Sequence, residues 1–454
     1  MTKRQSKPDY SDFDALQQIN LSAAGVDIGA EEIYVAVPIG RDDESVRAFG
    51  TFTVDLHQIA HWLKSCGIET VAMEATGVYW IPLYEVLEGY GFDVNLINAR
   101  HIKNVSGRKT DVVDCQWIQQ LHTYGLLQPS FRPPEHICSI RSLVRHRDML
   151  LRYRAAHIQH MQKALELMNL KLTNVLSDIT GVTGMQIIRA IVAGERRCEV
   201  LASYRQGGCA KSESEIAKSL EGNYRHEHLF ALQQALELFD FYSHQIQACD
   251  VQLEALYSQF DAPDQPGTPP PSKKRKRSKN HPDFDLAQSL YHMTGVDLTA
   301  IDGLEALSVQ TILTEIGMDM SKWPTVKHFT SWLGLCPNNK VTGGKVKQRG
   351  RKKTKSRANL AFRRAAQSLA RSQSALGAFY RRIRAKQGGP QAVIATAHKL
   401  ARIVYFMLKR REPYQDPGAD YYDQQYQARV LRHLTHRAAK LGFKLEPLAA
   451  DQVS

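Results

Sequence analysis

The sequence predicts an α/β domain at its N-terminus followed by all-α structure, and three patterns carry that prediction. Short β-rich runs alternate with helical periods from residue 22 to residue 127. Downstream, apolar residues recur almost wholly at three- and four-residue spacing, the period of a helix. A Pro/Lys-rich stretch, DAPDQPGTPPPSKKRKRSKNHPDFD, interrupts that helical part and reads as a linker. The domains expected are 20–130 (α/β), 135–260 (helical, with coiled-coil character), 261–284 (linker), 285–411 (basic, mostly helical) and 412–454 (a peripheral tail).

The elements of the first domain follow in order. SAAGVDIGAEEIYVAVPIG (22–40) reads as a strand, a glycine turn and a second strand, and SVRAFGTFTV (45–54) supplies a third. LHQIAHWLKSCG places Ile59, Trp62 and Leu63 on one helical face and stops at Gly67. TVAMEA is a short buried strand, WIPLYEVLEGYG a helix, DVNLIN a strand and DVVDCQWIQQLHTYGLL a helix. The order βββαβαβα is that of the ribonuclease H fold, a meander continued by parallel strands with crossover helices.

That order turns spacing into geometry. Asp27 lies near the end of the first strand and Glu74 at the end of the fourth, and those strands are neighbours in such a sheet. Asp111 and Asp114 sit three apart on one helix face. Four converging carboxylates repel one another, and a hard divalent cation resolves the conflict, so the set reads as a Mg²⁺ or Mn²⁺ site for phosphodiester chemistry. Asp111 has a second reading as a helix N-cap, and Asp114 suits the first-turn dipole.

Charge points the same way. From Ser321 to Arg411 there are 23 Lys or Arg and no Asp or Glu, leaving 36 basic against 46 acidic residues elsewhere. A solvated helical face mixes signs, whereas an acid-free run of 91 residues calls for a polyanion such as nucleic acid. Within it, Gly343 and Gly344 would bring backbone amides to a phosphate, and Lys345, Lys347, Arg349, Arg351, Lys352 and Lys353 would neutralise a backbone without reading bases. Lys103, Arg108 and Lys109 ahead of Asp111 are expected to contact nucleic acid too. LTAIDGLEALSVQTILTEIG has the look of a helix-hairpin-helix, either gripping phosphate or purely structural, with Asp302 and Glu305 departing from the usual residues.

Leu229, Leu232, Leu236, Phe239, Ile246, Leu253, Tyr257 and Phe260 form one apolar stripe, interrupted by Ser243 and Asp250, and Leu143, Leu150, Met161, Met168 and Val175 form another. Two long antiparallel helices would bury both, within one chain or between copies. The seven cysteines are scattered, with no CxxC pair, which argues against a disulfide framework or zinc knuckle. No apolar run reaches membrane-spanning length, and a cytoplasmic protein without membrane contact is expected.

NARHIKNVSGRKTDVVDCQWIQQLHTYGLL, with EATGVYW before it and WLGLCPNNKVTGGK far downstream, resembles the DEDD transposases of bacterial insertion sequences over most of residues 22–410. The resemblance implies a RuvC-like nuclease domain with Asp27, Glu74, Asp111 and Asp114 at the DEDD positions binding Mg²⁺. It further implies a C-terminal transposase domain, donor and target DNA, a structured bridge RNA as guide, and action at the nucleoid as a dimer or tetramer. The family's nucleophilic serine precedes a glycine pair, and Thr342 holds that position here, with Ser331 and Ser356 as weaker candidates. The alternatives are a RuvC-like junction resolvase that uses water and an actin-like sugar kinase, suggested by VDIGAEE. The kinase reading requires a second DxG-like loop, and the sequence contains none.

Overall fold

Ala24, Val26 and Ile28 alternate with Gly25 and Asp27, and a period of two sends these sets to opposite sides of a strand. The computed structural model describes residues 17–75, 77–98, 111–260, 279–337, 339–343, 345–348, 350 and 356–446. It divides into two units, Met1–Arg132 and Pro133–Ser454.

The first unit contains β1 (Ala23–Ile28), β2 (Ile33–Ala36), β3 (Val46–Phe49), α1 (Thr53–Ser65), β4 (Thr70–Glu74), α2 (Trp80–Gly89), β5 (Asp93–Ile97) and α3 (Asp111–Thr123). The sheet order is β3-β2-β1-β4-β5, antiparallel through the meander and parallel from β1 to β5. The third strand is shorter than expected, because Thr53 and Val54 already belong to α1.

Burial separates the two sheet faces. Val26, Ile28, Ile33, Val35, Val71 and Met73 pack with Leu56, Ile59 and Leu63 of α1 and Leu83 and Leu87 of α2 in one core. Each fully buried side chain of this kind contributes roughly 1.5–3 kcal/mol. The opposite face carries a smaller cluster of Ala72, Ile97 and Ile118, the last from α3. Helix α3 therefore lies on the face to which Gly25 and Asp27 point.

The second unit is mostly helical. Two long helices, α4 (Glu135–Leu167) and α9 (His226–Tyr257), run antiparallel within the chain. Arg147 meets Asp250 near one end, while Met161 and Leu165 share a core with Leu232 and Leu236 near the other. The intrachain hairpin is thus the arrangement observed. Between them, α5 (Leu172–Val175), α6 (Val182–Val192), α7 (Cys198–Ala202) and α8 (Glu213–Ser219) add Ile187, Ile188, Leu201 and Ile216 to that core. Asp250, an interruption of the seam in sequence, is a buried partner: Arg147 and Asp250 side chains are 3% and 5% exposed, and Arg147 Nη2 donates to Oδ2 at 3.1 Å.

Most of the Pro/Lys-rich linker lies outside the described residues. At its end Arg147 donates to the Asn280 carbonyl, and Lys279 pairs with Asp178. Beyond it come α10 (Leu286–Thr294), α11 (Ala306–Ile316), α12 (Val326–Trp332), β6 (Lys340–Thr342), β7 (Lys345–Gln348), α13 (Arg357–Ser368), α14 (Ala375–Gln387), α15 (Gly389–Arg410) and α16 (Tyr421–Lys440). In the hairpin-like segment, a Cβ on Gly303 would lie 2.7 Å from the Ala365 carbonyl, and Asp302 accepts from the Ser372 hydroxyl at 2.6 Å. The glycine there serves helix packing. The C-terminal tail contains α16, which runs for 20 residues.

Candidate metal and nucleic-acid sites

Parallel pairing of β1 with β4 sets Val26 opposite Met73, and the same register continued by one residue brings Asp27 level with Glu74. Adjacent strands lie about 4.8 Å apart, and both residues point to the α3 side of the sheet. Gly25 lets the helix come close. A Cβ there would sit 2.2 Å from the Gln119 backbone nitrogen and 2.3 Å from the Cys115 carbonyl, so any side chain would lift α3 off the strand.

That contact carries Asp114, one residue before Cys115, to the same end of the sheet. Asp27, Glu74 and Asp114 are all half-buried. Cys115 reports on two of them. Its thiol pKa is pushed up to about 12, first by burial, then by the negative charge of Asp27, with Asp114 adding to it. Both carboxylates therefore act on one buried sulfur. At the far end of α3, His122 lies 2.9 Å from the Thr70 hydroxyl, tying the helix to the start of β4.

Asp111 opens α3, and its side chain lies outside the described residues. So do Lys103, Arg108 and Lys109. A donor set of carboxylates suits a hard cation such as Mg²⁺. Among the described residues, however, no three His, Cys, Asp or Glu side chains are gathered as a metal site.

In the second unit, β6 and β7 of the basic run pair as an antiparallel hairpin. Thr342 pairs with Lys345, and Gly343 after Thr342 has φ 57°. A tight hairpin turn favours that left-handed backbone, so Gly343 has a conformational reason independent of phosphate. Thr342, Gly343 and Lys347 are exposed. Gly344, Arg349, Arg351, Lys352 and Lys353, and the Lys345 side chain, lie outside the described residues. Of the weaker nucleophile candidates, Ser331 is exposed on α12, and Ser356 caps α13 by accepting from the Asn359 amide at 3.3 Å.

Sequence reasoning did not single out Gly25, Cys115 or His122. A lone glycine inside a strand signals close backbone approach, and that signal was present at Gly25.

Two family models match this chain: a DEDD transposase model of the IS110 type over residues 24–170, and a model for transposases of the IS116/IS110/IS902 family over residues 297–381. The chain belongs to the IS110 family of DEDD transposases. Among curated proteins, none matches it. As an IS110-type transposase it is an enzyme that acts on DNA. The first match contains all four acids, and the second contains the Thr342 hairpin. Helix α16 lies outside both. No described helix is long and apolar enough to cross a membrane.

Proposed function

We propose that this transposase is a bridge-RNA-guided DNA recombinase with a RuvC-like N-terminal domain, using Asp27, Glu74, Asp111 and Asp114 as Mg²⁺ or Mn²⁺ ligands and Thr342 as nucleophile. The observation that carries the reading is the level placement of Asp27 and Glu74 at the ends of parallel neighbours, beneath the helix that bears Asp114.

In the chemistry proposed, a divalent cation would, when bound, supply charge neutralisation at the phosphate oxygens and lower the cost of deprotonating an attacking hydroxyl. Asp27, Glu74, Asp111 and Asp114 are the residues assigned to hold that cation. The Thr342 hydroxyl loses its proton as Oγ1 bonds to phosphorus, and the bond from phosphorus to the departing strand oxygen breaks, that oxygen taking up a proton. The phosphothreonine ester keeps the energy of the broken bond for religation, when a strand hydroxyl attacks phosphorus and Thr342 recovers its proton. Lys103, Arg108, Lys109, Lys345, Lys347, Arg349, Arg351, Lys352 and Lys353, with the Gly343 and Gly344 backbone, are assigned to nucleic-acid phosphates.

The exposure of Phe230, Leu238, Phe241 and Val251 on α9, at 55%, 42%, 54% and 62%, supports working as a homo-oligomer; the bacterial cytoplasm as its place of action rests on the transposase family alone. A resolvase-like enzyme would use water instead and leave no protein–DNA adduct. A sugar kinase would need a second large sheet, whereas the other sheet among the described residues has two strands.

Excision of the element by Asp27→Asn and Asp114→Asn variants tests the assignment, with RNA binding measured alongside. Lost excision with RNA binding nearly intact is the expected result; equal loss of both would make these residues structural.

A further inference from the structure

Helix α16 follows the acid-free block and repeats its charge pattern. From Gln424 to Leu445 the sequence has Arg429, Arg432, Arg437, Lys440 and Lys444, with His433 and His436, and no Asp or Glu. At 100° per residue, Arg429, Arg432, His433, His436 and Lys440 fall within one third of the helix circumference. Val430, Leu434 and Ala438 fall on the opposite side. Val430 and Ala438 are half-buried, Leu434 is 43% exposed, and all the basic residues are exposed; α16 packs against α14, and the cationic side is open to solvent.

A row of like charges along an exposed helix destabilises it by several tenths of a kcal/mol per close pair. A phosphate backbone removes that repulsion. The helix diameter of about 10–12 Å suits the major groove of B-form DNA, about 12 Å wide, whereas the major groove of duplex RNA is too narrow to admit it. We propose that the Arg429–Lys440 face of α16 is a sequence-independent clamp on duplex DNA, outside both family-matched segments. The clamp rests on the DNA-recombinase reading only in the choice of duplex as partner.

The test compares full-length protein with an Arg429→Gln, Arg432→Gln, Lys440→Gln variant, glutamine being chosen to keep helix propensity. Binding to a duplex DNA of arbitrary sequence is followed across a salt series. Three lost phosphate contacts should lower the slope of log affinity against log salt by about 2.7 and weaken low-salt binding by about tenfold or more. An Arg429→Lys, Arg432→Lys variant should keep the wild-type slope. Unchanged slope and affinity in the glutamine variant, with wild type bound, overturns the clamp and leaves the recombinase reading standing. Failure of wild type to bind duplex DNA at all overturns both. Equal losses on duplex RNA of the same sequence, or a loss confined to self-association, would also sink it.

Discussion

Nε2 of His122 lies 2.9 Å from the Thr70 hydroxyl, joining the last turn of α3 to the first residue of β4. Because α3 is a rigid rod, fixing this end also sets the height of Asp114 at the other. Burial pushes the His122 pKa below the ordinary histidine value of 6.5. The fold accepts the neutral ring, while the unfolded chain binds a proton more readily. This contribution is fully present above about pH 6.5 and is lost as pH falls through the window beneath it. His157 and His398 shift downward for the same first cause and add the same sign. Urea midpoints measured between neutral and mildly acidic pH should fall on acidification, and His122→Gln should flatten that dependence.

Gly25→Ala should cost about 1–3 kcal/mol or more, because the new methyl meets helix backbone and no rotamer avoids it. Denaturant unfolding of the variant would show this as a lower midpoint. A midpoint equal to wild type would mean that α3 shifts freely, and with it Asp114.

Thr342 is best examined by paired replacements. Thr342→Ser should retain excision and a protein–DNA adduct that survives denaturation, since the hydroxyl remains and a crowding methyl is removed. Thr342→Ala should abolish both while leaving DNA binding within severalfold of wild type. An active alanine variant would remove Thr342 from the chemistry.

Asp250→Ala would leave Arg147 charged and buried, at a cost of about 3–5 kcal/mol. Replacing both, as Arg147→Met with Asp250→Leu, should recover most of that loss. Chemical denaturation of the two variants provides the comparison, and a single variant as stable as wild type would show that water reaches the site.

How far the sequence could be read depended on how local each determinant was. The strand and helix order from Ala23 to Thr123 was legible because each element carries its own period and stop signal. Glu74 stood out as an acid closing an apolar strand. The Arg147–Asp250 partnership was not legible, since 103 residues separate the two and only the packed helices bring them together. The TGGK hairpin was not legible although Gly-Gly between Val341 and Val346 is a hairpin signal, because its basic composition obscured the alternation. Helix α16 was not legible because its apolar stripe is narrow, whereas its charge pattern runs along the other side.

The alternation along β1 has a further consequence. Slipping this strand by one position would drive the Asp27 carboxylate into the core shared with α1 and α2 and turn Val26 toward α3. Such an error carries the desolvation cost of a charge in hydrocarbon, so misregistered chains are rejected during folding. The hydrophobic pattern thereby acts as a proofreading device for the acids: a molecule that has completed its core has also placed Asp27 correctly.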